Sequence, residues 1–476
     1  MVTVQKKSQS ALLQIYEQKP FNWVSLPVKK LFDTGLRLEA GVYATDAEKA
    51  KQAIFNCKFG TVELKELAVV NYYTRFKRVF VAKSAYPVYQ PSQIKEIRPL
   101  PAAYVSDKTN KDIEQLRVRK GQILMTRSGT VGKVTYVSET LNGNIFSDDL
   151  LRINAKDKND IGYLYVFFLS DIGHSVVQSN NYGAVIQHIE PAHLLGISVP
   201  DAPRTLKWKI NSLVKESFAL RDESNALINK SHEMLKSALS LPPVESFLNK
   251  DNHKPWCFSI RSSDLKERFE AKFYHPVVQA ILMHLEKHAV GLTTLGDKKL
   301  VREILLPGIF KRYYVEPEYG VPYIDGKDIL SLDPRGGKYL SITQHKKLIT
   351  DKLSLLENML LVTCSGTIGK IALVPKHWQG WVASNHMLRI LPNDNFEGYL
   401  YAWLSSEWAL PLIQRYAYGA VISEINQHHI AGVEVPLLNE SLMNEINHIV
   451  LEANRLRYLA FEKEQEAVNI FNTQIM

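Results

Sequence analysis

The sequence predicts a mixed α+β fold. Two repeated globular domains are separated by two long helices that pack as an antiparallel coiled coil, in a quasi-twofold arrangement. Three observations carry this expectation. A hexapeptide recurs almost unchanged, SGTVGK at Ser128–Lys133 and SGTIGK at Ser365–Lys370, 237 positions apart. The segments around it recur in the same order. Each copy is then followed by a stretch with a seven-residue apolar repeat.

The recurrence covers most of the chain. Arg37–Tyr43 (RLEAGVY) matches Arg268–Tyr274 (RFEAKFY) at an offset of 231. Arg75–Val81 (RFKRVFV) matches Ile309–Val315 (IFKRYYV) at 234. Ser147–Ile153 (SDDLLRI) matches Ser384–Ile390 (SNHMLRI) at 237, and Tyr182–Pro200 matches Tyr418–Pro436 at 236. A drift of a few residues over a whole half describes one domain, duplicated, with small loop insertions.

Within each copy the elements follow one order. Gly121–Val137 and Asn358–Pro375 each read as strand, tight turn, strand, with the glycines of the hexapeptide supplying the backbone freedom the turn needs. An apolar and aromatic helix follows, Ile161–Ser179 and Glu397–Tyr416. Next come a Tyr-Gly-Ala-Val-Ile turn and a short strand ending in Val-Pro, at Pro200 and Pro436.

The heptads come last. The first runs Leu206, Leu213, Leu220, Leu227, Met234, with Ile210, Ser217, Ser224, Ser231 and Ala238 between. The second runs Leu442, Ile449, Leu456, Lys463, Ile470, with Ile446, Ala453, Ala460 and Ala467 between; Lys463 breaks it. One large and one small seam favour close helix–helix approach. Pro242-Pro243 ends the first helix. The expected divisions are residues 1–202 and 254–436 as globular domains, 203–242 as a central spacer helix, 243–253 as a linker and 437–476 as a C-terminal spacer helix.

Several functions are disfavoured. The hexapeptide is out of register for a phosphate-binding loop: Arg127 and Cys364 stand where the first glycine belongs, and Val134 and Ile371 replace the magnesium-binding hydroxyl. No apolar run approaches the ~20 residues that span a bilayer. Cys57, Cys257 and Cys364 are far apart and form no zinc or disulfide pattern, so a reducing cytoplasm is expected and no metal or other cofactor. Neighbouring His428 and His429 do not face one site on a helix, which suits capping better than metal binding. No Asn-Pro-Pro-Tyr or Asp-Pro-Pro-Tyr tetrapeptide holds a flipped adenine, and no metalloprotease or nucleophile-elbow motif occurs. The formal charge of +9 and pI near 9.1 are compatible with a polyanionic partner.

The order globular domain, long helix, globular domain, long helix resembles the specificity (S) subunit of type I restriction–modification systems. The resemblance runs from about Pro20 to the C-terminus. It rests on the Ser-Gly-Thr-[Val/Ile]-Gly-Lys turns and on the glycine turn before the Val-Pro strand. The chain departs from the family in two places. Gly183–Ile186 and Gly419–Ile422 read Gly-Ala-Val-Ile where members often have Gly-Ser-Thr-Gln. Pro200–Pro203 and Pro436–Asn439 replace the usual Pro-Leu-Pro-Pro. These departures suggest a divergent branch, such as a related methylation-linked phage-defence system.

The resemblance implies two target-recognition domains, each reading one half of a bipartite, asymmetric double-stranded DNA site. It implies helices that set the spacer and dock DNA adenine methyltransferase (M) subunits, two of them, and restriction/helicase (R) subunits. It implies a subunit without catalysis of its own; no membrane partner is expected, since no apolar run is long enough to span a bilayer.

The residues agree with that reading in one respect. The copies share glycines, hydroxyls and apolar strands, but not loop polarity, as in Lys95–Gln122 against Ile329–Glu357, or Asp148-Asp149 against Asn385-His386. A common scaffold reading different bases has this pattern. Candidate DNA contacts are Lys77, Arg78 and Lys133 with their equivalents Lys311, Arg312 and Lys370; Ser128, Thr130, Ser365 and Thr367 either bond phosphate or cap the turn. Two other functions compete: a stand-alone DNA endonuclease with a duplicated domain, which needs an acidic site in both halves, and a coiled-coil scaffold with no DNA role.

Overall fold

The computed structural model describes residues 28–33, 43, 45–73, 75, 77–109, 111–181, 187–247, 258–265 and 268–476. The repeat segment at 37–42, the first Tyr-Gly-Ala-Val-Ile turn (182–186) and residues 248–253 of the expected linker lie outside them.

Two copies of one topology stand at the ends of a helical pair. In the first, a four-stranded antiparallel sheet has the order 68–71, 150–155, 123–126, 134–136. A second sheet has the order 80–81, 103–105, 87–89, 145–146. The second copy repeats both: 301–305, 387–392, 360–363, 371–373, and 314–315, 339–341, 320–324, 382–383. Even the register is kept, since Ile123 pairs with Tyr136 and Leu360 with Leu373.

The strand before each hexapeptide is buried along its whole length, Ile123–Thr126 and Leu360–Thr363. Side chains alternate between faces along a strand. Ile123 and Met125 join the helical core of their domain, while Leu124 packs with Tyr89 and Phe146 from the second sheet. Leu360 and Val362 likewise part from Leu361. Both faces are covered, so the strand is apolar throughout rather than alternating.

We label four helices: α1 (Ile161–Leu169), α2 (Arg204–Ala238), α3 (Glu397–Leu404) and α4 (Glu440–Ile470). Each domain is fastened to its own long helix by the same device. The Gly162 N–H donates to Asn211 Oδ1 at 3.0 Å, and the Gly398 N–H to Asn447 Oδ1 at 2.7 Å. A Cβ on Gly162 would stand 2.6 Å from Asn211 Cα, and one on Gly398 2.4 Å from the Asn447 oxygen. Only glycine allows this approach. The next residues complete the joint: the Tyr163 hydroxyl donates to the Pro200 carbonyl at 2.6 Å, and the Tyr399 hydroxyl to that of Pro436 at 2.5 Å.

Helices α2 and α4 run antiparallel. The Ser217 hydroxyl donates to the Ala460 carbonyl at 2.6 Å and the Ser224 hydroxyl to that of Ala453 at 2.9 Å, so a step forward on one is a step back on the other. The small-residue seam is the true interface: Ser217, Ser224, Ser231, Ile446, Ala453, Ala460 and Ala467 are all fully buried. Lys463 does not break the pairing, because its ammonium meets Glu216 at 3.1 Å. At ~1.5 Å per residue the 35 residues of α2 span roughly 50 Å.

The domains grip the helices differently at mid-length. In the first, Asp222 accepts from the Ser138 hydroxyl (2.7 Å), the Glu139 N–H (2.9 Å), the Thr140 N–H (3.0 Å) and the Thr140 hydroxyl (2.6 Å). In the second, aromatic contacts join a buried amide: the His377 ring stacks on Phe461 with centroids 4.1 Å apart, the Lys376 ammonium lies 5.1 Å from the Tyr458 ring, and Asn454 Nδ2–H donates to the Val374 carbonyl at 3.0 Å. The domains also touch each other. The Ile97 N–H donates to the Leu330 carbonyl at 3.0 Å beside a Glu96–Ser331 bridge.

Candidate nucleic-acid interface

The hexapeptide forms the same turn in both copies, and its geometry explains its composition. Gly129, Gly132, Gly366 and Gly369 all have φ between +71° and +93°, the left-handed region that favours glycine. A Cβ on Gly369 would also stand 2.7 Å from the end of the exposed Leu410 side chain, which can turn aside, so the positive φ is the main reason for glycine there. The threonine before the turn pins it. The Thr126 hydroxyl donates to the Thr130 carbonyl (2.5 Å) and accepts from the Lys133 N–H (3.0 Å). Thr363 does the same with Thr367 (2.5 Å) and Lys370 (3.0 Å).

The later glycine turn buttresses the hexapeptide. In the second copy the Tyr418 and Glu424 backbones exchange hydrogen bonds of 3.0 and 2.8 Å, closing a small loop. From its base the Ser423 carbonyl accepts from the Gly366 N–H at 2.9 Å. In the first copy the Gln187 carbonyl accepts from the Gly129 N–H at 3.1 Å. Ser128 and Ser365 are half-buried in this joint, with the Ser365 hydroxyl 3.4 Å from a Glu424 oxygen, whereas Thr130 and Thr367 are exposed. In the second copy the two motifs that recur most clearly in the sequence are thus one structural unit.

Lys77 and Arg78 precede one edge strand (Phe80–Val81), and Lys311 and Arg312 precede its equivalent (Tyr314–Val315). Lys77, Lys311 and Arg312 are exposed. Cations and aromatic rings alternate here: the Lys311 ammonium lies 4.9 Å from the Tyr313 ring, and Phe80 and Tyr314 are 57 % and 45 % exposed. One loop joins each edge to its turn. Arg78 ion-pairs with Asp148, and the Asp149 carbonyl accepts from the Arg127 N–H at 3.2 Å. Arg312 bonds Asn385, and the His386 carbonyl accepts from the Cys364 N–H at 3.1 Å.

Lys133 stands elsewhere. It lines a groove of about 650 Å³ between the first domain, the helical pair and the second domain, with Lys95, His174, Arg221, Asp333, Arg335 and Glu464. Lys370 is half-buried, and its charge lowers the carboxyl pKa of Glu96, which burial raises more strongly. The structure therefore groups Arg78 with Ser128, and Arg312 with Ser365, but separates Lys133 from them.

Sequence reasoning missed three sets of residues. Thr126 and Thr363 pin the turns. Arg152 and Arg389 are buried equivalents whose guanidinium pKa is pushed down to about 10 by burial. Their signal was present, as the shared Leu-Arg-Ile. Lys95, at the end of a short 3-10 helix (Pro91–Lys95), and Arg335, in a loop, enter the groove with no counterpart pattern. His429 is a cap: its Nδ1 accepts from the Asn426 N–H at 3.3 Å. Burial pushes the Cys364 thiol up to about 12. Among the described residues no cluster suits a metal ion, and no helix is long and apolar enough to cross a membrane.

The chain is similar to known proteins over its two repeated domains. The type I restriction modification DNA specificity domain matches at residues 56–201 and 309–440, more than half of the chain. The S subunit of a type I restriction–modification system from M. genitalium aligns over 88 % of this chain and 95 % of its own, at 12 % identity and a TM-score of 0.35. The HsdS subunit from Thermoanaerobacter tengcongensis aligns over 87 % and 96 %, at 12 % identity and 0.27. No curated protein sequence matches. With its two matched regions lying one in each copy of the fold, the chain belongs to the type I restriction–modification DNA specificity family.

Proposed function

We propose that the chain is the DNA-reading subunit of a type I restriction–modification complex or a related methylation-linked defence complex. Each globular domain reads one half of a bipartite, asymmetric duplex site. The antiparallel pair α2–α4 fixes the separation of the halves and docks two adenine methyltransferase subunits, with restriction subunits joining through them. The chain performs no chemistry alone; the reaction belongs to its partners, and the setting is the cytoplasm.

One observation carries the reading. The two copies agree in strand order, in the register of the central strands and in helix joints, yet differ in the polar groups on their exposed edges. Arg78 is paired with a carboxylate where Arg312 meets an amide. Val79 and Phe80 stand where the second copy has Tyr313 and Tyr314. A shared scaffold with distinct edges is what two different half-sites require, because backbone contacts position a protein and side chains at base edges specify. The Asp148-Asp149 pair is not repeated, since Asn385 and His386 stand in its place, which speaks against an endonuclease site duplicated at this loop.

The test is a domain exchange. Replacing residues 20–200 by the matching segment of a relative should change one half-site and leave the other and the gap intact. Simultaneous change of both half-sites would show a single shared reading surface instead.

A further inference from the structure

The two copies treat one arginine in opposite ways. Arg78 and Arg312 hold equivalent places before their edge strands. The Arg78 side chain is 18 % exposed and ion-paired with Asp148, itself 3 % exposed. Arg312 is exposed, and its Nη2–H donates to Asn385 Oδ1 at 2.5 Å. A carboxylate cancels the guanidinium charge. An amide oxygen accepts one hydrogen and leaves the charge and the other donors available.

Asn385 is itself held rigidly. It is 6 % exposed, in a loop clamped from within by the fully buried Arg389. That guanidinium donates to the carbonyls of Ala383 (2.6 Å), Ser384 (3.3 Å) and Met387 (2.8 Å), which bracket Asn385. The equivalent Arg152 donates to the carbonyl of Leu116 at 3.1 Å, outside the matching loop. The second copy therefore has a continuous support from Arg389 through the loop to Asn385 and on to an exposed arginine. Phe310 lies beside that arginine, its ring 5.9 Å from the guanidinium carbon.

We propose that Arg312 reads a guanine in the half-site of the C-terminal domain, with Asn385 as its positioning residue, and that Arg78 reads no base. The proposal rests on the DNA-reading function above. A phosphate contact needs only a mobile cation, and lysine serves. A planar fork held along one edge by a buried amide suits paired hydrogen bonds to guanine O6 and N7, the commonest specific contact in the major groove. The partner of this arginine also differs between copies, where half-site differences must arise.

The experiment is selection of duplexes from a randomised library by the full chain and its variants. Arg312→Ala and Arg312→Lys should relax a guanine preference at one position of one half-site by about 10- to 100-fold, leaving the other half-site unchanged. Asn385→Asp, which installs the pairing of the first copy, should erase the same preference, and Arg78→Ala should alter neither half-site. Uniformly weaker binding to all sequences by Arg312→Ala, with the salt slope reduced by about one, would make Arg312 a phosphate contact and overturn the proposal. An unchanged motif would overturn it equally. A wild-type chain that enriched no sequence would overturn the DNA-reading function as well, and so is distinct from both.

Discussion

Replacing Asp222 by alanine is expected to loosen the N-terminal domain on α2 and so to blur the spacing between half-sites. The carboxylate is the sole acceptor for four donors of the Ser138–Thr140 turn, at 2.6–3.0 Å. Hydrogen bonds to a charged group contribute ~1.5–3 kcal/mol each, but these four share one partner and are not additive. Water also reaches part of the vacated turn. A net loss of about 3 kcal/mol is the working figure, which raises the detached population roughly 100-fold at about 1.4 kcal/mol per decade. Hydrogen exchange reads this directly, because the Glu139 and Thr140 amides donate to Asp222. Their protection should fall by about two orders of magnitude, while that of the buried strand Ile123–Thr126 changes little. Selection from duplexes with random gaps should then show a broader gap distribution. Asp222→Asn keeps an acceptor and should lie between. Unchanged exchange at Glu139 and Thr140 would refute the reasoning, since the carboxylate would then not hold the turn.

Lys77→Ala and Lys311→Ala, on the exposed edges, should each weaken binding about equally for all sequences and lower the salt slope by about one, read by titration at several salt concentrations; an altered motif would show that they touch bases. Gly398→Ala should destabilise the fold by ~1–3 kcal/mol in denaturant titration, because its Cβ would stand 2.4 Å from the Asn447 backbone carbonyl oxygen, which cannot step aside; unchanged stability would show that the joint does not need glycine. Burial lowers the His377 pKa to about 4. The unfolded imidazole takes up its proton near pH 6.5, so the unfolded state holds more protons between those values. Stability should therefore fall as pH drops from 6.5 towards 4 and be unaffected by this group above 6.5, and His377→Gln should flatten that fall in pH-dependent melting. The purified chain should show no turnover with S-adenosylmethionine or with ATP and magnesium; activity persisting in the absence of any partner would contradict a purely reading role.

Much of this architecture was legible in the sequence because duplication is a pattern that needs no energetics. The glycines of both turns announced a special backbone, and the Ser/Ala seam announced close helices. The hexapeptide's neighbour was less visible: nothing in Tyr418–Glu424 says that it closes on itself and buttresses Ser365. Charge was the least legible. Lys463 reads as a flaw in a heptad, yet Glu216 answers it from the other helix at 3.1 Å. Arg78 and Arg312 look interchangeable, and their difference resides in Asp148 and Asn385, about 70 residues further on. Lys77 and Lys133 read alike as basic positions; folding places one on an exposed edge and the other in a groove. Pattern finds elements, but the partner of a side chain is set by packing between distant segments.

The most direct measurement is a genome-wide map of methylated adenines in cells expressing the chain with its methyltransferase partner. Two short defined half-sites of different sequence, separated by a gap of fixed length and free composition, are the predicted result: two unlike domains on one rigid helical pair leave that signature. A single uninterrupted motif, two identical half-sites, or a gap of variable length would contradict it.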